Sequence, residues 1–199
     1  MIDGSPRERK KYMQTFDPGR VFRKLAYNNA LANDRLYQAC AALRPGEFKA
    51  VRTSFFPSLA ATLNHILTVD WFYVDGLEGG TLGPKAWEIE EPFDTVSELA
   101  EAQAKVDGRL VDVCEGLTPE KLVAIINLQR DGRVQQERME DVLSHLFQHQ
   151  THHRGQVHAM LAGTSVKPPQ LDEFIVADDA RFRGDEIAAL GWSEETLMR

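Results

Sequence analysis

A neutral imidazole is the side chain that most often binds a divalent metal near neutral pH, and this sequence distributes its six histidines unevenly. His65 stands alone, whereas His145, His149, His152, His153 and His158 crowd one later segment. Apolar residues around both places recur at helical spacing, so both are read as helices. Residues four apart on a helix lie about 5–6 Å apart on one face, which lets two imidazoles converge on one ion. His145 with His149 and His149 with His153 both meet that spacing. The apolar face separates them. At about 100° per residue with His149 as origin, Val142, Leu143, Leu146, Val157, Met160 and Leu161 project between about 20° and about 120°. His153 falls at about 40°, inside this arc, and His149 lies at its edge. His145 and His152 project to the other side, and His158 points away. On the earlier helix, His65 sits at the edge of the arc made by Leu59, Ile66, Tyr73 and Leu77. His65, His149 and His153 are thus aimed at one interior from two helices, and a divalent metal held by these three is the expectation. Three interior imidazoles without an ion would each need a separate hydrogen-bond partner.

Three neutral ligands leave the ion its full charge and an open coordination position, the arrangement of catalytic zinc sites rather than closed structural ones. At such a position a water is acidified toward a pKa of about 7 and a thiol binds as thiolate. Zinc is the first choice, with nickel, iron or copper also suited to imidazole. Asp70 follows His65 by five residues and projects about 140° away, so it reads as an interhelical or surface acceptor. Arg154 is expected to hold a neighbouring helix or to reach an anionic substrate. His152 is expected to be either a base behind the ligands or a surface residue. Trp71 and Trp87 read as packing or pocket-lining residues. Gly155 is expected to allow close helix approach and Gly163 to end the helix.

Four long helices must position these groups. Asp17 and Pro18 open a first helix over 18–44. A second runs from near Pro57 to Gly79 and Gly80. The stretch 78–93 holds glycines and prolines without a period, a long loop that could serve as a lid. Asp94 is expected to cap a third helix that ends near Gly116. Between it and the fourth, Asp131-Gly132 flanked by β-branched residues predicts a small β-hairpin. The fourth helix covers about 138–162, and the last thirty residues read as a loop and a short helix packed on the outside. The result is a single all-α domain over 1–199, a four-helix bundle with one hairpin.

The run His149-Gln150-Thr151-His152-His153-Arg154-Gly155-Gln156, with His65 inside Leu63-Asn64-His65-Ile66-Leu67-Thr68-Val69-Asp70-Trp71, resembles the DinB (damage-inducible) family. That superfamily includes YfiT-like metal-dependent hydrolases and thiol-dependent S-transferases. The resemblance implies an up-down-down-up bundle, commonly a homodimer, with a divalent ion on three histidines that map onto His65, His149 and His153. It also implies low-molecular-weight thiols such as bacillithiol, mycothiol or glutathione as co-substrates of some members.

Composition narrows the classes further. A net charge of −7 argues against nucleic acid as a partner. The one basic run, 7–11, reads as a solvated end. No stretch approaches the roughly 18 apolar residues of a spanning helix, and no signal-peptide core is present. Cys40 and Cys114 sit among apolar neighbours and are expected to be buried and reduced. A cytoplasmic protein without a membrane partner is the expectation. No Ser-His-Asp, phosphate-loop or dinucleotide signature occurs. The leading expectation is therefore an enzyme whose metal activates a thiol or water against a small electrophilic substrate, as an S-transferase or a hydrolase. The alternative is a non-catalytic metal-binding stress or interaction protein.

Overall fold

Ser58, Thr95, Thr118 and Ser193 each open a helix with a short hydroxyl side chain that satisfies an otherwise orphaned backbone N–H. In the computed structural model, which describes residues 17–172 and 175–199, the elements are α1 (Arg20–Ala41), α2 (Leu59–Leu77), a 3₁₀ turn (Gly83–Trp87), α3 (Val96–Glu115), α4 (Pro119–Val123), β1 (Ile125–Arg130), β2 (Arg133–Arg138), α5 (Met139–Leu161), α6 (Ala180–Ala189) and α7 (Glu194–Met198). The basic run 7–11 lies outside the described residues. Asp17 acts one turn ahead of α1, its Oδ1 accepting from Gly19 N at 2.9 Å. The first helix is thus shorter at both ends than the expected 18–44. Ser58 caps α2, accepting from Ala61 N. The cap of α3 is Thr95 rather than Asp94: the Thr95 hydroxyl accepts from Glu98 N and donates to Glu98 Oε2 at 2.6 Å, a reciprocal capping pair. Asp94 instead pairs with Lys49 at the surface.

The chain is mostly helical with a small two-stranded antiparallel sheet. α2 packs on both α5 and α3, and α1 packs on the other sides of α3 and α5. The shared core includes Leu36, Leu63, Ile66, Leu67, Leu99, Leu110, Leu143 and Leu146. Truncating any of them to alanine costs about 2–5 kcal/mol.

The predicted hairpin is present, with Arg130 opposite Arg133 and Gly132 in the left-handed conformation at φ 67°. It packs on α2 through buried Leu128, which lies so near Gly76 that a Cβ there would meet its Cδ2 at 2.3 Å. Gly155 behaves otherwise. It is exposed and a Cβ would meet nothing within 4 Å, so the close approach expected of Gly155 belongs to Gly76. The C-terminal segment also departs from the expectation of an outer ornament. Ile187 and Leu197 enter the core, buried Arg183 pairs with Glu194 at 2.7 Å, and Trp192 lies edge-on to Tyr27 of α1 at 4.9 Å.

One polar layer crosses this apolar interior. Asp70 of α2 accepts from Gln103 Nε2 of α3 at 2.7 Å and from Gln150 Nε2 of α5 at 3.0 Å. Asp107 of α3 accepts from Gln103, Asn29 and Asn33. Buried Arg154 of α5 donates to Asn29 and Asn33 of α1. Asp70 and Arg154 therefore hold helices together, as their angular positions suggest.

Candidate metal centre

α2 packs against α5, and the site forms where His65 meets two successive turns of α5. The Nε2 atoms of His65 and His149 stand 3.1 Å apart. The ring centroids of His65 and His153 are 4.6 Å apart, and those of His149 and His153 are 4.4 Å apart. One ring nitrogen from each of the three lies within 4.8 Å of the other two. Two nitrogens at tetrahedral zinc distances of about 2.0–2.1 Å stand about 3.4 Å apart, so the His65 and His149 separation is that of ligands to one small ion. Among the described residues this is the one cluster of three or more such donors.

The surroundings favour ligation. Burial first, and then the charge of His153, push the His65 imidazole down to about 4. Burial, helped by the other imidazoles, pushes His149 down to about 3. Burial lowers His153 as well, against the hydrogen bond that its ring donates to Gln156. All three are neutral at pH 7, the form that donates a lone pair to a metal. The Gln156 Oε1 accepts from His153 Nδ1 at 2.8 Å, which fixes the proton on Nδ1 and leaves Nε2 free. His149 Nδ1 is buried and without a hydrogen-bond partner. Without an ion, two neutral imidazoles facing each other through Nε2 share one hydrogen at most, and an ion between them uses both lone pairs. The donor set therefore fits a divalent metal of zinc type.

The other histidines are placed as their angles require. His145 is exposed, its ring 6.5 Å from that of His149 and 5.2 Å from Tyr73. His152 is exposed, lies edge-on to His153 and faces Gln156 Nε2 at 3.3 Å. His158 faces the Pro169 carbonyl at 3.0 Å. Neither cysteine approaches the cluster: both are free and buried, and burial pushes each thiol up to about 12.

A cavity of about 330 Å³ opens beside His65, lined by Phe56, Ala61, Thr68, Val69, Trp87, Glu90 and Glu91. Phe56 precedes the α2 cap and folds back over the site, its ring stacked on His65 at 4.2 Å and tilted against His153 at 5.6 Å. The opposite wall belongs to the segment after α2, which is tied to that helix at both ends. Asp75 accepts from Leu82 N at 2.7 Å, and Asn64 exchanges two hydrogen bonds with the Phe93 backbone. Trp87 thus serves the pocket, whereas Trp71 packs edge-on against Phe93. Phe56, Gln156, Glu90 and Glu91 escaped the sequence reading. Gln156 alone carried a signal, standing three residues beyond His153 on the same helical face.

The fold that carries these histidines recurs among known proteins. The model of the DinB family matches residues 13–186. Among solved structures, a DinB-like protein from Bacillus cereus ATCC 10987 is similar at a TM-score of 0.54 and 18% identity, covering 70% of this chain and 89% of that one. A DinB-like protein from Bacillus subtilis, YjoA, is similar at 0.52 and 16%, covering 74% and 96%. Likeness at this identity concerns the fold. A search of curated proteins yields no match. With its family match spanning most of the chain, and its helices arranged as in these structures, the chain belongs to the DinB family.

Proposed function

We propose that this protein is a metal-dependent enzyme in which His65, His149 and His153 hold a divalent ion, zinc first and nickel or iron next. In this reading a small electrophilic substrate enters the adjoining cavity and is attacked by a thiol or by water, making the protein an S-transferase or a hydrolase. The observation that carries the reading is the conjunction of the three-histidine cluster with a cavity bounded by one of its members. A bound ion of this kind supplies Lewis acidity and favours the deprotonated form of a thiol or water.

The chain's own groups divide the remaining work. Gln156 holds the His153 proton on Nδ1 and so keeps the ring oriented. Phe56 and Trp87 provide apolar walls that exclude water from the reacting groups. Glu90 and Glu91, exposed on the cavity wall, are the carboxylates available to take a proton from the nucleophile or return one to the leaving group. Thr68 is committed to the His65 carbonyl at 3.2 Å and serves as wall.

The same reading takes the four long helices as an up-down-down-up bundle acting on small molecules in the cytoplasm as a homodimer. Among the described residues no helix is long and apolar enough to cross a membrane. The net charge of −7 suits neither nucleic acid nor an anionic membrane surface.

The test begins with elemental analysis of protein purified without an affinity tag. Metal-loaded protein is then assayed with bacillithiol, mycothiol and glutathione against electrophiles, and with ester and amide substrates alone. Metal-dependent turnover is the expected result. Stoichiometric metal without turnover across both panels would move the assignment to the non-catalytic metal-binding reading.

A further inference from the structure

The polar layer beneath the metal centre contains two carboxyls, Asp70 and Asp107, and one guanidinium, Arg154, all buried. With all three ionised it would carry one uncompensated negative charge in a medium where such charge is costly. Lys24, the buried cation of α1, belongs to another group, with Arg20, Arg183 and Glu194 as its charged neighbours. Tyr37 of α1 has a buried hydroxyl without a hydrogen-bond partner, and burial holds its ionisation well above the ordinary value, so it stays neutral. The groups facing Asp70 are thus Tyr37 from α1, Asp107 from α3 and Arg154 from α5.

Hydrogen bonding decides which carboxyl is left short. Asp107 accepts four bonds, from Asn29, Asn33 and Gln103. Asp70 accepts two, so it has the weaker stabilisation as a carboxylate and the spare lone pairs. The two amides beside it also differ. Gln103 Nε2 bridges Asp70 and Asp107, and a half-turn of that amide would forfeit both bonds. The Oε1 atoms of both amides are buried without a partner, but Gln150 Nε2 bonds Asp70 alone, so Gln150 can turn over without cutting a tie to Asp107. A half-turn of Gln150 would place that oxygen where it accepts from an Asp70 O–H.

We propose that Asp70 is a buried proton-binding site that exchanges its proton near neutral pH, and that the Gln150 amide reports its state by presenting Oε1 to the acid and Nε2 to the carboxylate. The proton comes from solvent and returns to it, and no other group changes charge. Burial, followed by the charge of Asp107, pushes Asp70 up to about 7, against the pull of Gln103, Gln150 and Arg154. Asp107 rises only to about 6.

The experiment is carbon-13 NMR of the aspartate side-chain carboxyls in the full chain, between about pH 5 and about pH 9, with and without added zinc. The signal lost in Asp70→Asn is expected to titrate near neutrality in both forms. In Asp107→Asn that midpoint should fall by at least about one unit, because Arg154 then balances Asp70 alone. Should either variant fail to fold, infrared absorption of a protonated carboxyl in the wild-type protein reads the same proton. Four outcomes overturn the proposal: an Asp70 signal already ionised at the acid end, titration by Asp107 instead, a midpoint that follows sodium or potassium concentration at constant ionic strength, or no protonated carboxyl in the infrared near neutral pH.

Discussion

His149 and His158 stand on one helix nine residues apart, and only His149 has its ring nitrogen among the three that converge. His149→Ala is expected to remove most bound metal and His158→Ala to leave it in place, measured by elemental analysis after dialysis. Equal metal content in the two would refute the assignment. Angular position on two helices was enough to choose His65, His149 and His153 and to set aside His145, His152 and Asp70. The residues that shape the pocket were not legible in this way. Phe56, Glu90 and Glu91 lie in segments without periodicity, and their place depends on how the chain folds back over α2, which no local pattern encodes.

At the level of elements, the helix boundaries and the hairpin were readable because capping residues, Gly132 and apolar period all act locally. The errors are also local. Asp94 and Thr95 are adjacent good caps, and the choice fell on Thr95 because Glu98 stands three residues later to complete the reciprocal pair. Thr95→Ala should therefore cost about 1 kcal/mol in urea unfolding. Asp94→Ala, which loses one exposed ion pair with Lys49, should change little. The glycines invert the sequence expectation. Gly155→Ala should stabilise α5 by about 0.5–1 kcal/mol, since the position is helical and open. Gly76→Ala should destabilise by about 1–3 kcal/mol through its collision with Leu128. Matching effects at the two positions would contradict the packing described.

For the whole molecule, the core is continuous without the metal, so stripping the ion should lower the melting temperature by mass action and leave helical circular dichroism largely intact. Collapse of that signal on chelation would make the site structural. In the metal-free protein two sets of groups oppose each other with pH. His65 and His149 titrate at about 4 and about 3, below their unfolded values, so their contribution is present above about pH 6.5 and is lost as pH falls. Asp70 titrates at about 7, above its unfolded value of 3.8, so its contribution is present in acid and is lost as pH rises to neutrality. Asp70→Asn removes the second effect alone. Its stability relative to wild type should climb between about pH 4 and about pH 7 and then level off, by denaturant midpoints across pH. A flat difference would show that Asp70 titrates alike in the folded and unfolded chain. The two ties of the 82–93 segment, Asp75 at one end and Asn64 at the other, lie eleven residues apart on α2, about 16 Å along its axis. The segment is thus a bridge with both abutments on the helix that carries His65. Its 3₁₀ turn is anchored in the core by Ala86 and Trp87, whereas its exposed stretch from Glu88 to Glu91 can change in sequence, and to some extent in length, without disturbing either abutment or the histidines of α5. If the proposed function holds, substrate range and metal chemistry are separable in descent: relatives can diverge in what they admit by rewriting the exposed stretch from Glu88 to Glu91, while His65, His149 and His153 stay as they are.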